Sequence, residues 1–224
     1  GHRASNSSFL PAMRWARRVV KEFETARSLA PENTDVRFDL LEYYLSAPGI
    51  VGGGKDKAEA EVRAIERLNP GMGFLARATV HIKNRKWDLA REELTRATEE
   101  NPRSASAHKD LAEFLFDRQD YEGALRYAKK ALLLDVGSIR SKLLVAASQT
   151  RLRTGLEEAE ETLLTLSAGR LGEGAPAYEE VYYWLGELYL AKGNKAKARE
   201  AFRSALTFDP EYKRAKDGLS KSRE

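Results

Sequence analysis

Residues 179–212 read EEVYYWLGELYLAKGNKAKAREAFRSALTFDPEY, and the spacing inside them sets a pattern: Tyr182-x-x-Leu185-Gly186-x-x-Tyr189, then Gly193, Ala198, Phe202, Ala205 and Pro210. Two periods earlier the same positions hold His108, Leu111, Ala112, Leu115, Tyr121, Ala124, Ala128 and Ala131. Earlier again they hold Phe74, Ala78, Trp87, Ala90, Leu94, Ala97 and Pro102. The alanine that opens each second segment recurs at 58, 90, 124, 159 and 198, with spacings of 32, 34, 35 and 39 residues. Fixed periods of this length mark stacked supersecondary units. Within each unit, apolar or small residues at i, i+3, i+4 and i+7 predict two short helices. Ala78, Ala112, Ala147 and Gly186 are small where the paired helix must approach closely, and Ala90, Ala124 and Ala198 answer them. Asn-Pro or Asp-Pro at 69–70, 101–102 and 209–210 punctuates the units.

The pattern resembles the tetratricopeptide repeat (TPR), whose consensus runs W-x2-L-G-x2-Y, then A-x3-F, then P over 34 residues. The resemblance covers about residues 34–212, and the 179–212 copy lies near the consensus. It implies an all-α fold, a right-handed α-solenoid of about five helix pairs with extra N- and C-terminal helices. The expected repeats are 34–70, 71–104, 105–138, 139–172 and 179–212, in one domain from 9 to 224 after a polar tail at 1–8. Helices are expected at 9–29, 34–46, 56–68, 72–84, 87–99, 105–117, 121–133, 139–152, 156–167, 177–191 and 195–207, with a capping helix within 213–222. Helices this short are marginal alone, so each pair relies on its neighbours for cover. Two copies depart from the pattern. The 139–172 copy lacks the aromatic positions and the proline and runs into Gly169–Gly174. The 34–70 copy carries a long turn, Ala47-Pro48-Gly49-Ile50-Val51-Gly52-Gly53-Gly54-Lys55, similar to a loop in some bacterial TPR proteins, which points to a bacterial source.

Composition agrees with a helical protein. Ala, Leu, Glu, Lys and Arg make up more than half of the 224 residues, against 7 prolines. With 42% hydrophobic residues the chain can bury a core, and with no cysteine it has neither disulfides nor thiolate sites. The net charge of +4 gives little support to a nucleic-acid partner. No uncharged run is long and apolar enough to predict a membrane span. Gly1-His2 reads as the scar of a cleaved tag. Segment 9–29 ends like a second repeat helix whose first partner is missing. Both suggest that the chain continues upstream, which leaves the compartment open between bacterial cytoplasm and periplasm. A soluble monomer is expected, with a weak dimer as the alternative.

Candidate chemistry is sparse. Gly49-x4-Gly54-Lys55 spells most of a phosphate-binding loop, but Asp56 replaces the hydroxyl that holds magnesium, and a helical segment precedes it where a strand belongs. A long turn is the better reading. His81 and His108 fall at packing positions, and no carboxylates are spaced to join them or His2 around a metal. Glu157, Glu158, Glu160 and Glu161 sit at a helix start, where solvent and the helix dipole favour acids. Asn6-Ser7-Ser8 spells a glycosylation acceptor, a three-residue match of little weight. No nucleophile arrangement appears, so neither catalysis nor a cofactor, metal or small-molecule substrate is expected.

In TPR proteins the first helix of each pair lines a concave groove that takes peptides or a partner helix. The resemblance therefore places Phe38, Glu42 and Leu45, then Leu75, Thr79 and Ile82, then Lys109, Glu113 and Phe116, then Leu144, Ser148 and Arg151, then Tyr183, Glu187 and Leu190 on that surface. Apolar anchors mixed with both charge signs suit a peptide with hydrophobic side chains at intervals. Phe38 and Phe116 are expected to be anchors outside the inter-helix core. Carboxylates at Glu42 and Glu113 disfavour the TPR subclass that clamps chaperone tails by their terminal carboxylate. A non-enzymatic protein-binding scaffold is the leading expectation. The alternatives are a nucleic-acid or regulatory-complex subunit using the basic face Arg14, Arg17, Arg18 and Lys21, opposite an apolar face of Ala12, Ala16, Val19 and Phe23, or the helical part of a larger enzyme.

Overall fold

The computed structural model describes residues 4–169 and 176–222, with side chains from Met13 onward. The Gly169–Gly174 stretch, His2, and the side chains of Asn6 and Ala12 therefore lie wholly or largely outside the described residues. Among those described, twelve α-helices and no strand form the protein. They fall into two compact units, 1–102 and 103–224.

The first unit holds α1 (Ala4–Leu29), α2 (Thr34–Ser46), a 3₁₀ turn (Gly49–Val51), α3 (Lys55–Leu68), α4 (Pro70–Lys83) and α5 (Trp87–Glu100). Each helix packs on the next, and α2 also touches α4. The Asn-Pro junction works as a double cap. Asn69 ends α3, and its side chain then accepts from the Met72 N–H to open α4, with Pro70 in the first turn. Helix α4 consequently starts two residues earlier than its periodicity predicts. Leu40, Leu41, Tyr44, Ala58, Val62, Ile65 and Ala76 form the core, joined by Val20 of α1.

Helix α1 begins at Ala4, five residues before the expected start. Its inward face keeps Phe23, as expected, but is rotated so that Val20 replaces Val19. Val20 is buried whereas Val19 is 40% exposed, which corrects the apolar face read from the sequence. The rotation brings polar side chains of α1 to buried partners. Arg27 donates to Glu61 of α3, and Arg37 of α2 donates to the other Glu61 oxygen at 2.8 Å. Glu61 is only 2% exposed. Tyr44 donates to Glu24 at 2.9 Å, and burial followed by that carboxylate pushes the Tyr44 phenol above its ordinary value.

The second unit runs α6 (Ala105–Asp117), α7 (Tyr121–Leu134), α8 (Ile139–Leu152), α9 (Leu156–Ala168), α10 (Tyr178–Ala191), α11 (Lys195–Phe208) and α12 (Lys213–Lys221). Ser104, Asp120, Ser138 and Asn194 cap the helices they precede. Helix α8 explains the aberrant fourth copy. All eight residues from Leu143 to Thr150 are buried, so the helix has no solvent face to impose a pattern. Its Ser148 and Thr150 hydroxyls satisfy themselves on the Leu144 and Ala146 carbonyls. At the other end Phe202, fully buried, lies between Gly186 of α10 and Gly218 of α12; a Cβ at either glycine would come within 2.5 Å of the ring. Helix α12 thus closes the core with Ala215 and Gly218, and Leu219 packs beside them.

Candidate functional site

Helices α6, α8 and α10, the first members of successive pairs, lie side by side in the second unit. Their shared face carries a cavity of about 470 Å³. Phe116, Leu143, Leu144, Ala147 and Trp184 give it an apolar floor, and Tyr121 and Gln119 extend it towards α7. Charged side chains surround that floor: Arg140, Arg151 and Arg214 against Glu113, Asp117 and Glu180.

The aromatic floor is built by edge-on contacts. Phe116 meets Trp184 at 5.4 Å and Tyr121 at 5.2 Å between ring centroids. Arg140 bridges two helices, donating to Glu113 at 2.7 Å and to Glu180 at 2.8 Å. Burial opposes its charge, but those two carboxylates outweigh it and hold the guanidinium above its ordinary value. Arg151 donates to Glu187 at 2.7 Å and to the Tyr183 hydroxyl at 3.2 Å, and lies 5.0 Å over the Trp184 ring. Arg214, from α12, sits 4.2 Å over Tyr183 and 5.3 Å over Trp184.

Of the residues assigned to a groove from the sequence, Glu113, Phe116, Leu144 and Arg151 line this cavity, and Tyr183 and Glu187 support it through Arg151. Tyr183 itself is buried against Trp184, Phe202 and Tyr212. Lys109 turns instead to its neighbour Asp110 at 3.0 Å, Leu190 packs on the core, and Ser148 is fully buried. In the first unit Glu42 and Ile82 are exposed, and Leu75 is buried. Thr79 donates to the Leu75 carbonyl within its own helix, and Leu45 packs on the core. Phe38 and Phe116 are both half-buried and pack against core clusters, which corrects their expected place outside the inter-helix packing. Asp117, Arg140, Trp184 and Arg214 were not among the assigned residues. Asp117 was within reach, since it follows Glu113 by four residues and shares its helix face. Arg140 lies in the aberrant copy, and Arg214 lies in a helix read as a solvated cap.

The remaining motifs resolve into structure. The loop resembling a phosphate site follows α2, not a strand, and its 3₁₀ turn is tied to α1. Arg17 donates to the Ile50 carbonyl, and the Tyr43 hydroxyl lies 2.9 Å from the Ala16 carbonyl and 2.7 Å from that of Val51. A Cβ at Gly53 would stand 1.8 Å from the Ala47 carbonyl oxygen, so only glycine fits. Gly53→Ala should cost about 1–3 kcal/mol and loosen α1 first. Tryptic cleavage at Arg14, Arg17 and Arg18 should accelerate severalfold, and an unchanged cleavage rate would contradict the tie. The other members of that basic face are exposed; Arg18 reaches Glu22 at 3.9 Å and lies over Trp15. His108 stacks on Tyr127, and among the described residues no His, Asp and Glu side chains gather to hold a metal ion. In the acidic run, Glu160 accepts from Lys192, the residue after α10, at 2.6 Å, a bond that lowers its carboxyl below the ordinary range. The run therefore joins helices as well as facing solvent.

A tetratricopeptide-repeat family model matches residues 75–137, and a second matches 179–212. The chain carries tetratricopeptide repeats over these residues and has the all-α TPR fold. Solved structures share the fold at low identity. The anaphase-promoting-complex hetero-tetramer Cut9–Hcn1 superposes with a TM-score of 0.68 at 18% identity, over 96% of this chain and 40% of that one. YrrB, described as a TPR protein with an unusual peptide-binding site, gives 0.59 at 16% identity, over 88% and 97% of the two chains. A TPR protein of Parabacteroides merdae gives 0.59 at 14% identity, over 96% and 80%. The chain thus spans well under half of the Cut9–Hcn1 chain it resembles. No curated protein sequence matches it. No helix among the described residues is long and apolar enough to cross a membrane.

Proposed function

We propose that the protein is a non-enzymatic scaffold that binds an extended peptide segment of a partner protein in the cavity between α6, α8 and α10. TPR folds generally mediate protein–protein interaction, and the arrangement of this cavity supports a peptide as the occupant. The observation that carries the reading is an aromatic floor, Phe116 and Trp184, ringed by six charged side chains in a volume of about 470 Å³. Pockets of a few hundred Å³ with an apolar floor and a few placed polar groups are those that orient a bound segment. Aromatic anchors supply most of the affinity, and the surrounding charges select among partners.

Panning a phage-displayed random octapeptide library against the full chain tests this. Peptides should enrich, and Glu113→Gln, which keeps a hydrogen-bond acceptor for Arg140 while removing the charge, should enrich a different set at a modest loss of thermal stability, since Arg140 keeps Glu180. The same set from both proteins, or no enrichment from either, would remove the cavity as the binding site.

A further inference from the structure

The six charges around the cavity are not equivalent. Arg140 is held between Glu113 and Glu180, and these three belong to the scaffold. Arg151 is committed to Glu187 and the Tyr183 hydroxyl. Two charges are left over. Among the described residues, Arg214 has no carboxylate and Asp117 no cation within 4.0 Å, yet both line the cavity. Arg214 is immobilised by its stack on Tyr183 and Trp184, so its donors are held in place before any ligand arrives. Asp117 is solvent-exposed on one side. Desolvation of its inner side, and then Glu113, push its carboxyl above the ordinary value, outweighing the opposite pull of Arg140 and Arg214, neither of which is close enough to form an ion pair. A cation brought beside Asp117 relieves that strain on its charge. A wholly acidic segment meets Glu113, Asp117 and Glu180, and a wholly basic one meets three arginines; each leaves like charges facing across the cavity mouth, where Asp117, Arg151 and Arg214 are exposed.

From this we infer that the partner segment carries an acidic and a basic side chain flanking an apolar one: the acid pairs with Arg214, the base with Asp117, and the apolar group lies against Phe116, the floor residue that is not buried. The inference rests on the reading of the cavity as a peptide site. A segment of this kind crosses the floor in one direction only, because reversing it sets acid against Asp117 and base against Arg214.

The test pans the octapeptide library against the full chain, Arg214→Gln and Asp117→Asn, each checked for an unchanged helical signal. Arg214→Glu is avoided, because a carboxylate on the Tyr183 and Trp184 rings would disturb folding. Peptides selected by the parent should share an Asp or Glu at one position and a Lys or Arg at another. Against Arg214→Gln the acidic preference should vanish while the basic one stays, and Asp117→Asn should do the converse. Fluorescein-labelled copies of a selected peptide should bind about tenfold more weakly to the variant that lacks their charge partner. Enrichment without a charge preference, or a preference kept by both variants, overturns this inference and leaves the peptide site standing. Absence of any enrichment overturns both.

Discussion

Glu61→Gln is expected to lower the stability of the first unit by about 3–5 kcal/mol, the usual cost of removing one partner from a buried ionic cluster. Glu61 is 2% exposed and accepts from Arg27 of α1 and Arg37 of α2, so one carboxylate joins three helices. The loss leaves two guanidinium groups facing each other without their counter-ion, one of them, Arg37, largely buried. For a unit of about 100 residues, a loss of that size lowers the melting temperature by about 12 °C or more. Replacing the whole cluster by apolar residues, Arg27→Met with Arg37→Met and Glu61→Leu, should recover most of the loss, because the desolvation of the charges is then removed too. Differential scanning calorimetry separates the outcomes. A single Glu61→Gln transition at the parent temperature would show that the cluster contributes nothing.

Phe202→Ala is expected to cost about 3–5 kcal/mol, since the ring is fully buried and leaves a cavity that flanking helices cannot close. The two glycines around it provide a sharper test. Gly186→Ala alone forces a Cβ to within 2.4 Å of the ring, and the overpacking, about 1–3 kcal/mol, outweighs the helix propensity of about 1 kcal/mol that alanine brings. In the Phe202→Ala background the ring is gone, so Gly186→Ala should stabilise. Urea unfolding of the four proteins measures this coupling. The same sign for Gly186→Ala in both backgrounds would contradict the close approach of α10, α11 and α12.

The helix pairs were legible in the sequence because their cause is local and periodic. Ala112, Ala124, Gly186 and Ala198 are small for a steric reason that repeats, and their spacing shows it. The site was legible only in part. Glu113, Phe116, Leu144 and Arg151 could be placed by position within a repeat, since the face they share is fixed by helix geometry. Asp117 repeats that geometry one turn on and was overlooked. Arg140 and Arg214 depend on tertiary neighbours of α8 and α12, and neither helix follows the consensus. The Arg27–Glu61–Arg37 cluster left no trace either, because each member looks like a solvated charge on an amphipathic helix until α1 is docked. A quieter signal lies in the turns. Arg85, Gln119 and Arg153 adopt φ of +56°, +64° and +55°, the left-handed position that Gly193 fills in the last repeat. Glycine is absent from the α4–α5 and α6–α7 turns altogether, so in those two repeats no residue marks the turn between the paired helices.

Hydrogen–deuterium exchange of the full chain, with and without a saturating library-selected octapeptide, tests the central claim most directly. A peptide seated on the α6–α8–α10 face predicts slowed exchange in residues 113–121, 139–151 and 180–187. Exchange in α3, α5, α7 beyond Tyr121, and α9 should stay as in the free protein. Protection confined instead to α1, around Arg14, Arg17, Arg18 and Lys21, would contradict the account and move the binding surface to the basic helix.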